Sequence, residues 1–242
     1  VRSDIGAVRQ AIDAAGHPAL FFVDCVSSLA SMPFEMDGWG VDIAVSGSQK
    51  GFMLTTGLAI LGVSQKALAA MESAQLPRTF FDFRDMLAAN ANGGFPYTPP
   101  LQLIYGLKES LVMLFDEGLE NVYARHHRLA EGVRQAVAAW GLTLCANSPE
   151  LASDTVSAIY VPAGFNSNEL TELAFSKYGV SFGIGLGEMN TKAFRIGHLG
   201  ALTDVMLLSG LAAIEMAMAD LDYPIELGSG VRSAQAYYRK TA

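Results

Sequence analysis

Two short apolar runs, joined by a long connection, limit the architecture of this chain more than any other feature. Ala19-Leu20-Phe21-Phe22-Val23 is continuously apolar, as expected of a strand covered on both faces. It ends in Asp24-Cys25-Val26-Ser27-Ser28, and residues 25–41, with Pro33 and Gly38-Trp39-Gly40, read as a crossover. Ile43 to Val45 is the next strand, and Leu58 to Val63, following Gly57, is a third. A strand, a crossover of this length and another strand imply a parallel or mixed α/β sheet.

The pattern around this centre is helical. Residues 3–15 carry Ile5, Val8 and Ile12 on one face, and Gly16-His17-Pro18 stops them. Residues 64–72 form a short helix, and 73–98 read as mostly irregular. Pro99-Pro100 opens a long helix with Leu103, Leu107, Leu111 and Leu114 at helical spacing, and a second long helix covers 119–140. Beyond residue 146 the pattern becomes α+β: strands at 155–161, 180–184 and 193–197, and helices at 167–178 and 203–221. The expected division is a large α/β part over 1–145 and a smaller α+β domain over 146–242.

Bulk properties exclude several functions. Against 24 acidic residues stand 16 basic ones, a net charge of −8, so no surface is set up to replace phosphate counterions and no nucleic-acid partner is expected. Cys25 and Cys145 stand far apart, and no Cys/His cluster has metal-ligand spacing; no metal is expected, and a reducing cytoplasm fits. The apolar stretch 207–219 is interrupted by Ser209, Gly210 and Glu215 and reads as a buried helix rather than a membrane span. His126-His127 are adjacent on a helix and so diverge. Trp39 and Tyr105 read as packing aromatics, and Cys25 as a buried, inert thiol.

The chemistry gathers at the strand ends, where open α/β sheets bind ligands. Asp24 closes one strand, and Lys50, in Ser46-Gly47-Ser48-Gln49-Lys50-Gly51-Phe52, follows the next. A partly desolvated lysine can form a Schiff base with an aldehyde, and a neighbouring carboxylate can hold a pyridinium nitrogen protonated. A turn-capping Asp and a solvated surface Lys would give the same spacing.

The wider wording carries a resemblance. FFVDCVSSLASMPFEMDGWGVDIAVSGSQKGFM resembles the cofactor-lysine region of class V pyridoxal-phosphate aminotransferases, in particular the serine–, alanine– and aspartate–glyoxylate group. FPYTPPLQLIYGLKESL, EGLENVYARHHRLAEGVRQAV and GIGLGEMNTKAFRIGHLG continue it in order. The resemblance implies a fold-type I transferase, with part of a large domain built on a mixed, mostly parallel sheet, and pyridoxal 5′-phosphate as cofactor. It makes Lys50 the Schiff-base lysine and proton shuttle, Asp24 the partner of the pyridine nitrogen, and Val26 the side chain packed on the ring. Gln49 becomes a polar cofactor contact, Thr98 a phosphate contact across a homodimer interface, and Arg195 the clamp on the substrate carboxylate.

The implied reaction is amino transfer from an amino acid, serine by preference, to the 2-oxo acid glyoxylate. Aspartate and alanine are competing donors, and a desulfurase- or kynureninase-like lyase and a non-catalytic scaffold are the remaining alternatives. Phe95 stands where relatives often carry tyrosine, and Thr55-Thr56-Gly57 where many have Pro-Pro-Gly. The resemblance covers the C-terminal three-fifths of the family chain. The expectation is therefore a longer native enzyme, with this part inactive alone.

Overall fold

The computed structural model describes residues 1–241. The chain divides into two compact units: one comprises Asp4–Leu29 and Pro33–Glu117, the other Val1–Ser3, Ala30–Met32 and the residues from Gly118 on.

In the first unit, α1 (Ile5–Ala14) is capped by the Asp4 side chain, which accepts from the Ala7 N–H. Three strands follow: β1 (Phe22–Asp24), β2 (Ile43–Gly47) and β3 (Ala59–Val63). β1 and β2 are parallel, with Asp24 opposite Val45, and β3 returns antiparallel, with Gly47 opposite Ala59. The sheet is thus mixed, as expected, with one parallel and one antiparallel pair. Val23, Cys25 and Ala44 on one face pack with Phe21 and Val41, covered by Ile5, Ile12, Leu29, Phe34, Met36 and Trp39. Trp39 meets Phe34 edge to face at 5.5 Å, a packing role as anticipated.

The other face of β1 departs from the expectation of a strand covered on both sides. Phe22 is 56% exposed, and Leu61, on the same face, is also open. Alternate residues of β1 therefore differ in burial, because the described residues supply covering helix and loop to one side only.

Asp42 ties the start of the sheet together. Its buried carboxylate accepts from the Phe21 N–H (2.7 Å), Ser64 Oγ (3.1 Å) and Lys66 Nζ (3.1 Å). Burial alone would raise its pKa, but these hydrogen bonds and the Lys66 charge outweigh burial and hold it below the usual carboxylate value. α2 (Gln65–Met71) starts on the Ser64 cap. α3 (Phe83–Asn90) lies within the stretch expected to be irregular. It spans only eight residues and buries none of them, and Asp82 caps it by accepting from the Arg84 N–H. α4 (Leu101–Glu117) follows Pro99-Pro100. Its Ser110 and Leu114 are buried, whereas Tyr105, expected to pack, is 72% exposed on the opposite side of the helix.

The second unit contains α5 (Leu119–Ala139), an antiparallel sheet ordered β4 (Thr143–Leu144), β5 (Val156–Tyr160), β7 (Ala193–Gly197) and β6 (Gly183–Ile184), and α6 (Ser167–Tyr178), α7 (Asp204–Asp220) and α8 (Ser229–Lys240). Its core joins Leu129, Val133 and Trp140 of the α5 region to Ile159, Leu170, Phe194, Leu211, Met218 and Tyr238.

α8 was not anticipated from the sequence. It is polar overall, but Val231, Ala234 and Tyr238 lie along its packed side at helical spacing. Tyr238 Oη donates to Leu129 O at 2.8 Å, and a Cβ on Gly132 would sit 2.0 Å from the Tyr238 ring. Only glycine permits so close an approach of α8 to α5. The buried Glu215 carboxylate of α7 accepts from Trp140 Nε1 (2.9 Å) and the Gly230 N–H (3.0 Å), and so caps the start of α8. Among the described residues no helix is long and apolar enough to cross a membrane.

Candidate active site

The parallel pairing of β1 and β2 decides where the candidate chemistry meets. Parallel strands end on the same side, so Asp24 at the end of β1 and the turn that follows β2 at Gly47 share one edge of the sheet. Asp24 is exposed, and its Oδ1 accepts from the Val26 N–H at 3.0 Å, a local turn that fixes the carboxylate on the backbone of Val26. Lys50 is half-buried, and among the described residues its amine has no hydrogen bond or ion pair. Gln49 is exposed and folds over Gly47; a Cβ at Gly47 would stand 2.7 Å from Gln49 Oε1. Asp24 and Val26, after β1, and Gln49 and Lys50, in the turn after β2, therefore lie at the same edge of the sheet.

Thr98 lies elsewhere in the same unit, exposed in the segment that leads into α4. Beside it Tyr97 stacks on Phe80 at 4.4 Å, and Phe95 is exposed. Arg195 lies on β7 in the other unit. It is half-buried, with Nε donating to Ile184 O at 2.9 Å across the β6–β7 pair. That hydrogen bond occupies one edge of the guanidinium.

Cys25, next to Asp24, is buried with its thiol 3.0 Å from Val45 O. Burial, followed by the Asp24 charge, pushes its pKa up, consistent with an inert thiol. His198 is fully buried between Ser157 Oγ (3.0 Å) and Asp154 O (3.1 Å), and burial pushes its pKa down to about 4. It is a neutral structural residue. His126 bridges Val122 O (2.7 Å) and the Gly200 N–H (3.0 Å). Among the described residues no group of three or more side chains could hold a metal ion.

Sequence reasoning passed over two hydroxyls that shape the lysine turn. Ser48 is fully buried: its N–H donates to Leu58 O (3.0 Å), its carbonyl accepts from the Leu54 N–H (3.0 Å), and its Oγ donates to Thr55 O (2.7 Å) while accepting from the Leu58 N–H (3.2 Å). Ser110 Oγ on α4 donates to Phe52 O at 2.6 Å. Ser48 was legible only as one of several small residues near Lys50, and Ser110 as a polar interruption of an apolar helix face.

A family model for class V aminotransferases matches residues 2–186. The chain belongs to the class V aminotransferases. An L-aspartate–glyoxylate aminotransferase of Paracoccus denitrificans is 64% identical to this class V chain over 241 residues, all of this chain and 61% of its own length. A serine–glyoxylate aminotransferase of Hyphomicrobium methylovorum is 56% identical, over all of this chain and 60% of its own length. The crystal structure of pyridoxamine–pyruvate aminotransferase from Mesorhizobium loti superposes with a TM-score of 0.90 at 34% identity, over 98% of this chain and 61% of that one. The class V chain thus spans about three-fifths of the length of the relatives it matches, and its α/β architecture is that of fold-type I.

Pyridoxal 5′-phosphate is the cofactor this class implies, and the site fits it. An amine without a protein partner among the described residues and an exposed carboxylate at one sheet edge suit an aldehyde and a ring nitrogen.

Proposed function

We propose that this chain is the lysine- and arginine-bearing part of a pyridoxal-phosphate-dependent aminotransferase that converts glyoxylate to glycine, with serine as the preferred amino donor. The observation that carries the reading is the shared edge of Asp24 and Lys50 set by the β1–β2 pairing. Once bound, the cofactor would supply an aldehyde to receive the donor's amino group and a ring to accept the electron pair released at Cα.

The roles of this chain's residues follow from their chemistry. Lys50 Nζ holds the cofactor aldehyde and, once released, carries the proton taken from the donor Cα. The Asp24 carboxylate keeps the pyridine nitrogen protonated by its opposite charge. Val26 packs on the ring and Gln49 offers a polar contact. Thr98 reaches a phosphate across a homodimer interface, and Arg195 presents its free N–H fork to the substrate carboxylate. Exposed Tyr105, Val112 and Phe115 on α4 support the homodimer, because apolar groups rarely stay uncovered on that scale. Two free cysteines support a reducing, cytoplasmic setting.

The 64% identical relative favours aspartate as the second donor reading. A desulfurase-like lyase is disfavoured, because burial raises the Cys145 pKa and lowers its thiolate fraction. The test is glyoxylate-dependent glycine formation by the full-length protein with serine, aspartate and alanine. Serine is expected to give the highest kcat/KM, and Lys50→Ala is expected to abolish turnover and the absorbance band of lysine-bound cofactor. Faster reaction with aspartate would replace the donor assignment; turnover by Lys50→Ala would overturn the site.

A further inference from the structure

The loop that carries Lys50 is held from two sides, and its backbone is strained. Met53 has φ +60, a left-handed conformation that costs a non-glycine residue free energy, and its N–H donates to Lys50 O at 2.9 Å. Such a conformation persists only where surrounding contacts over-determine it. Ser48 provides the first set: through N–H, carbonyl and hydroxyl it closes the loop on Leu54, Thr55 and Leu58. α4 provides the second: Ser110 Oγ binds Phe52 O at 2.6 Å, and Leu54 Cδ2 lies 2.9 Å from where a Cβ at Gly106 would be.

We infer that Ser48 and Ser110 are positioning residues for Lys50: their hydroxyls fix the strained 50–53 turn between the end of β2 and α4 and so aim the lysine amine. The inference rests on the reading of Lys50 as the cofactor lysine. Neither hydroxyl touches cofactor or substrate in this role. Ser48 acts from inside the loop and Ser110 from outside it, so the two positions test the same assignment independently.

The experiment compares wild type, Ser48→Ala, Ser110→Ala and Lys50→Ala in the full-length holoenzyme. It measures the pH titration of the cofactor absorbance band, the split between kcat and KM, and the urea midpoint. Each serine variant is expected to move the pH midpoint of the band by about 0.5 unit or more, because the amine's surroundings change. Each is expected to lower kcat about tenfold with little change in KM, as misplacement of a reacting group does. A lowered urea midpoint with an unchanged band titration and unchanged kcat would show a merely structural role and overturn the inference. Should Ser48→Ala fail to fold, the Ser110→Ala titration decides alone. Retention of the band by Lys50→Ala would instead sink the underlying lysine assignment, a separate outcome.

Discussion

Replacing Glu215 with alanine should unseat α8, and the cost can be worked from the hydrogen bonds that the carboxylate makes. Two are near ideal, from Trp140 Nε1 at 2.9 Å and from the Gly230 N–H at 3.0 Å; Ser229 Oγ and the Val231 N–H stand further off at 3.5 Å. Glu215→Ala leaves two buried donors without an acceptor, at about 1–3 kcal/mol each, and removes a buried methylene worth about 0.8 kcal/mol. The expected loss is about 4 kcal/mol. Glu215→Gln keeps an acceptor oxygen and the shape but loses the charge facing the α8 N-terminus, for an expected cost of about 1–2 kcal/mol. Urea unfolding followed by far-UV circular dichroism reads the helix content in every variant, Trp140→Phe included. Adding Trp140→Phe to Glu215→Ala should cost less than the sum of the two single changes, since one orphaned donor disappears. A loss within about 1 kcal/mol for Glu215→Ala, or equal losses for Ala and Gln, would refute the capping role.

Other perturbations follow from the same contacts. Gly132→Ala places a methyl 2.0 Å from the Tyr238 ring and should force α5 and α8 apart, lowering stability by at least about 2 kcal/mol; an unchanged denaturation midpoint would contradict the packing. Asp42 titrates below its unfolded value of about 3.9, so the stability it contributes is complete above that pH and is lost as pH falls through the lower folded value. Asp42→Asn should therefore be destabilised at neutral pH and converge on wild type in acid, as urea midpoints against pH would show. Phe115→Asp, at an exposed position on α4, should shift the full-length protein from dimer to monomer in sedimentation; a monomeric wild type would end the homodimer proposal.

The parts of the fold legible in the sequence were those whose apolar residues recur at a clear period. β7 was expected over 193–197 and runs Ala193–Gly197, and α6 was expected over 167–178 and runs Ser167–Tyr178. α3 escaped notice because it is short, eight residues in a stretch of turns, and α8 because its pattern is largely polar; α8 is recruited by tertiary contacts, Tyr238 over Gly132 and Glu215 at its start, that no local window contains. In the candidate site, Asp24 and Lys50 were readable because ionisable groups at strand ends stand out against apolar runs. Ser110 was not, since its partner, Phe52 O, is a backbone carbonyl 58 positions away.

The antiparallel return of β3 has a consequence for the lysine itself. β2 and β3 pair from Ile43 with Val63 to Gly47 with Ala59, and Lys50 sits in the connection between them. Side chains alternate along a strand, so a slip of one residue in this pairing would turn Ala44 out of the core and Val45 into it. The offset between the two strands therefore takes discrete values, and any shift by an odd number of residues exposes the buried set. Mutations that loosen the sheet should thus divide the molecules into those with the amine in its proper place and those with it in another, rather than blur its position.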